Sequence, residues 1–82
     1  MNYAATIAQA VRDFASMMGE EVKTAKNPEQ QEAWIELISI MRRMARCLDG
    51  MTFEEAKATI ADFDEPEKGI IMDLLAKKGI FF

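Results

Sequence analysis

Tyr3, Ile7, Val11, Phe14, Met18 and Val22 recur at steps of four, four, three, four and four. That spacing keeps one apolar stripe on a single side of a 3.6-residue helix and predicts a first helix over about 3–25. Gly19 weakens it by about 1 kcal/mol relative to alanine. Asn27-Pro28-Glu29-Gln30 then signals a restart, with an asparagine N-cap, proline at the first helical position and glutamine at the third. The second helix is expected over 28–49, where Gly50 suits a left-handed C-cap.

Thr52-Phe53-Glu54-Glu55 has the form of a capping box and opens a third helix, about 53–62, with Phe53, Ala56, Ile60 and Phe63 as its apolar side. Asp64-Glu65-Pro66-Glu67 places carboxylates where a fourth helix, about 65–78, would start. Its expected core is Ile70, Ile71, Leu74 and Leu75, and Lys77 and Lys78 suit the last turn before Gly79. No segment alternates with period two. The expectation is an all-α fold in one domain, 1–82: a small bundle of four helices, two long and then two short, joined by short connections.

On a helical wheel, Ala33, Trp34, Leu37, Ile38, Ile40, Met41, Met44, Ala45, Cys47 and Leu48 fill about half the circumference of the second helix. One face on a core needs an arc of only about 100°. The excess predicts a central helix that meets the first helix on one side and something else on the other. That second neighbour is either the third and fourth helices or a second subunit. Ile35 falls outside the arc in line with Ser39, Arg42 and Arg46, whereas Arg43 lies near Glu32 and Glu36.

Composition adjusts this picture in three ways. At 82 residues, half of them apolar, the chain is globular with a thin core, which favours oligomerisation, here a homodimer, or docking on a partner. A net charge of −4 disfavours non-specific attraction to nucleic acid or anionic lipid. The single Cys47 forms no internal disulfide, no apolar run reaches membrane-spanning length, and the N-terminal sequence lacks a basic n-region. A soluble, cytoplasmic protein is expected, with no membrane partner.

The residue types also narrow the chemistry. Histidine is absent, which removes the commonest general base and metal ligand, and one cysteine offers neither a catalytic pair nor a thiolate metal site. Asp62 to Asp73 spaces superficially like a calcium loop, but Glu67 stands where that loop needs glycine and Pro66 precedes it. Acidic helical proteins of this length include the acyl carrier proteins, whose attachment serine sits in Asp-Ser-Leu. Here Ser16 follows Phe14-Ala15 and Ser39 lies between Ile38 and Ile40, so that motif is missing. No catalytic residue, cofactor or metal site is expected.

What remains is binding. Met41 to Met51, MRRMARCLDGM, crowds three arginines and three methionines into an acidic chain. Methionine adapts to irregular partners and arginine is enriched at interface anchors, while both also serve as core filler and solvated flank. Between Glu54 and Glu67 six carboxylates face one lysine, which fits helix capping or the steering of a basic partner. At the C-terminal end, Ile80 is placed to fold back on Leu75, leaving Phe81 and Phe82 exposed. The sequence thus points to a non-enzymatic protein–protein interaction module, a small regulator, inhibitor, adaptor or chaperone. Its partner surface would be an Arg-rimmed, Met-rich helix face carrying Ile35, Arg42, Arg46 and Met44, together with Phe81 and Phe82. The alternatives are a DNA-associated regulator using the last two helices as a helix-turn-helix, and a structural subunit of a larger assembly. Carboxylates at the start of the would-be recognition helix make nucleic acid the weaker option.

Overall fold

The computed structural model describes residues 3–81, for Tyr3 the backbone alone. Among the described residues there are four helices: α1 (Tyr3–Val22), α2 (Pro28–Asp49), α3 (Phe53–Ala61) and α4 (Glu67–Lys77). No strand occurs among the described residues. The molecule measures 41 × 22 × 20 Å, and its most extensive helix pair is α1–α2. This is the all-α bundle of two long and two short helices that the periodicity implies.

Each junction has a local cause. Thr24 turns back on Glu21, its hydroxyl donating to that carbonyl at 2.8 Å, so α1 stops at Val22 rather than near residue 25. The Asn27 side chain accepts the Glu29 amide at 2.9 Å, and Pro28 fills the first position without wasting a donor. The residue that reaches back from α2 is Gln31, donating to the Ala25 carbonyl at 2.9 Å, rather than Gln30. Thr52 and Glu55 form both bonds of the capping box, each 3.2 Å.

Two further boundaries depart from what the sequence implies. Gly50 closes α2 with φ −93°, ψ 2°, so the left-handed cap expected there is not formed. Its amide bonds the Cys47 carbonyl at 3.2 Å, an ordinary turn any residue can make. Helix α4 begins at Glu67, two residues later than expected. Pro66 sits at the cap position, and Glu65 lies outside the helix and reaches forward to the Gly69 amide at 3.2 Å.

The largest correction concerns which helix is central. Helix α1 contacts all three others, whereas α2 packs on α1 and on neither α3 nor α4 to a comparable extent. Ala4, Ile7, Ala8, Ala10, Val11, Phe14 and Ala15 are all buried, an arc much wider than the stripe of large residues alone. The alanines on either side of that stripe are small and are buried with it. From α2 the core takes Ile38, Met41, Ala45 and Leu48; from α3, Ala56 and Ile60; from α4, Ile71 and Leu75. Full burial of a side chain such as Leu48 or Ile60 contributes about 1.5–3 kcal/mol. Among the described residues no polar or charged side chain is buried, so the core is held by apolar packing.

Candidate partner-binding surface

Helix α2 carries two parallel rows, each spaced four, three, four, three. Trp34, Ile38, Met41, Ala45 and Leu48 form the row on α1; the last four are buried and Trp34 is half-buried. The second row is Ala33, Leu37, Ile40, Met44 and Cys47. Ala33, Ile40 and Cys47 are exposed, Ile40 to 41%, while Leu37 and Met44 rest half-buried against the core edge. The wide apolar arc therefore has two fates: one half is core, and the other is open.

The open half forms one wall of a groove. Phe14, Met17 and Met18 of α1, Trp34 and Leu37 of α2, and Pro66, Glu67 and Ile70 at the start of α4 line its first part, about 300 Å³. The second part, about 280 Å³, runs on past Leu37, Ile40, Met41 and Met44 to Phe63 and the α3–α4 turn. Leu37 and Glu67 line both parts, so the two adjoin at these side chains. Ile70, expected in the core of α4, instead stands at the groove with 36% exposure. Met17 of α1 is 49% exposed there.

Five of the six carboxylates of the 54–67 stretch divide between two roles. Glu55 and Glu65 are spent on helix starts. Asp62, Asp64 and Glu67 border the groove, and Glu21 joins them from α1. No lysine or arginine lines either part of the groove among the described residues.

The residues singled out in the sequence do not come together as one surface. Met44 lies in the groove row. Arg42 and Arg46 point from the opposite flank of α2, beyond the buried row, and Ile35, 53% exposed, falls on that flank by helical phase. There Arg42 and Arg46 meet Arg12 and Ser16 of α1 in a cationic cleft. Arg12 is also ion-paired with Asp49 at the end of α2. Phe81 is 71% exposed, at the end of the chain next to buried Ile80; Phe82 lies outside the described residues.

Several contributors went unseen in the sequence. Met17 had no role in the sequence reading, Trp34 and Leu37 read as part of the wide apolar arc of α2 and Ile70 as core; only the docking of α4 shows that they frame an opening. Arg12 had no sequence signal tying it to Arg42 and Arg46, which lie thirty and more positions away. Among the described residues no helix is long and apolar enough to cross a membrane. Comparison with family models, curated proteins and solved structures found no match.

Proposed function

We propose that this chain is a non-enzymatic protein-binding module whose partner seats in the groove between α2 and the start of α4. The observation that carries this reading is the second apolar row of α2. Ile40, Met17 and Ile70 stand exposed beside half-buried Leu37, Met44 and Trp34, in two adjoining hollows that share Leu37 and Glu67 rather than as scattered single residues. Contiguous apolar patches of this kind mark interaction sites, whereas isolated exposed apolar residues are common on any surface. Methionine on both walls supplies flexible, polarisable contact that moulds to a partner. In this reading Met44 is a contact residue. The Arg42–Arg46 flank is a separate, solvated face.

The helix-turn-helix alternative gains no support from charge. Glu67 stands in the first turn of α4 and Glu65 just before it, the end a recognition helix would bring to the phosphates.

The test is affinity capture from the native host with the wild-type chain and with an Ile40→Gln/Ile70→Gln variant. Both substitutions are at exposed helical sites and add no charge, so helicity by circular dichroism should be unchanged. A specific partner that is captured by the wild type and lost with the variant is the expected result. Capture that is indifferent to both substitutions would remove the groove from the account.

A further inference from the structure

The groove has a length, a wall chemistry and a charge, and together they specify its occupant. From Trp34 to Met44 the α2 wall spans about 15 Å at 1.5 Å per residue, the reach of three helical turns. An amphipathic helix laid along such a wall presents anchors at i, i+3 or i+4, and i+7, the usual mode of helix-in-groove recognition. The floor and walls are aliphatic, aromatic and Met-rich, which suits large apolar anchors. The rim is of one sign: Glu21 at one end, Glu67 in the middle, Asp62 and Asp64 at the other.

We infer that the groove receives a cationic amphipathic helix of a partner protein, with leucine- or phenylalanine-type anchors on one face and lysine or arginine along the edges. Rim carboxylates steer such a segment and exclude acidic competitors, so charge sets selectivity while the apolar floor supplies contact area. A second copy of this chain is a poorer match. Its own exposed row is bordered on the outer side by Glu29, Glu32 and Glu36 against a single Arg43, so carboxylates would meet carboxylates. The inference rests on the groove being a protein-binding surface, as proposed above, and adds the identity of what it binds.

Trp34, the single tryptophan, lines the groove and reports on occupancy. The full chain is titrated with a synthetic Leu/Lys amphipathic peptide of roughly 15 residues, long enough to form a stable helix once bound. A Leu/Glu peptide with the same apolar face is the control, and Trp34 emission is the readout. The Lys peptide should shift the emission and bind at least about tenfold more tightly than the Glu peptide, with the advantage shrinking as salt is raised. An Asp62→Asn/Asp64→Asn/Glu67→Gln variant should weaken Lys-peptide binding by about tenfold, a few-fold per rim charge. Those side chains make no helix-capping bond, and circular dichroism of the variant checks that the fold is kept. Equal binding of the two peptides overturns the charge inference while leaving a protein-binding groove in place. Binding of neither peptide overturns it as well. If light scattering then shows a dimer that Ile40→Gln dissociates, the occupant is a second copy instead. If Ile40-sensitive capture from the host persists, the partner has other chemistry.

Discussion

The amide of Ile80 donates to the carbonyl of Leu75 at 2.9 Å, and this bond turns the end of the chain back onto the core. The Gly79 amide bonds Ala76 at 3.0 Å beside it, completing a Schellman motif. Ile80 is thereby buried at 5% exposure, while Phe81, one residue on, is out in solvent. The fold-back anticipated from Gly79-Ile80 is formed, and it depends on Gly79 holding φ +85°.

The two cap glycines should therefore respond oppositely. Gly79→Ala forces a side chain into left-handed backbone and should cost about 1 kcal/mol. Gly50→Ala places its new Cβ 3.8 Å from the Cys47 carbonyl at an ordinary negative φ, so it should be neutral or stabilise by up to about 1 kcal/mol. Urea unfolding midpoints of both variants decide the matter; equal loss in both would mean that α2 also needs a left-handed cap.

Ala45 of α2 is fully buried where that helix lies on α1, as are Ala8 and Ala15 of α1. Ala45→Leu adds volume at this fully buried site and should destabilise by about 1–3 kcal/mol. A neutral or stabilising result in thermal unfolding would show that the two helices have room between them.

The capping box at α3 gives a more local expectation. Thr52→Ala removes the hydroxyl that accepts the Glu55 amide and should cost about 1 kcal/mol. Serine at that position should restore most of the loss, because it keeps the acceptor. Failure of serine to do so would assign the role of Thr52 to its methyl group.

Asp13 lies 3.5 Å from Lys78, and its neighbour Arg12 pairs with Asp49, so two adjacent residues of α1 reach the ends of two different helices. All four side chains are 35–43% exposed. Each pair should therefore contribute under about 1 kcal/mol in a double-mutant cycle, and less at high salt. A coupling that is larger and salt-independent would contradict this.

Helix types, most boundaries and three of the four caps could be read in the sequence, because each rests on neighbours within five residues: Asn27 with Glu29, Thr52 with Glu55, Ile80 with Leu75. The left-handed cap expected at Gly50 failed because glycine permits that conformation without requiring it. The sequence reading missed the centrality of α1 by weighing only its large residues; the row Ala4, Ala8, Ala15 was the available signal. It also could not show that Ile40 and Ile70 stay open. Nothing in the periodicity of α2 distinguishes a row covered by another helix from one left bare, since that depends on where α4 docks. For the same reason Arg42, Arg46 and Met44 looked like one surface, although the buried row of Ile38, Met41 and Ala45 separates them.

That separation yields a sharp contrast between flanks. Arg42→Glu/Arg46→Glu alters the cationic cleft with Arg12 and Ser16 and should leave groove binding within about twofold, whereas Ile40→Gln/Ile70→Gln should weaken it by tenfold or more. Peptide titration of both variants followed by Trp34 emission reads this directly. The reverse order of effects would move the contact to the arginine flank.

Site-specific photocrosslinking tests the central claim most directly. A photoreactive residue is placed at position 40, in the groove, or at position 35, on the opposite flank, and each protein is irradiated in extract of the native host. The groove account predicts a discrete adduct from position 40 that excess Leu/Lys peptide suppresses, and none from position 35. An adduct from position 35 alone, or one from position 40 that the peptide leaves untouched, would contradict it.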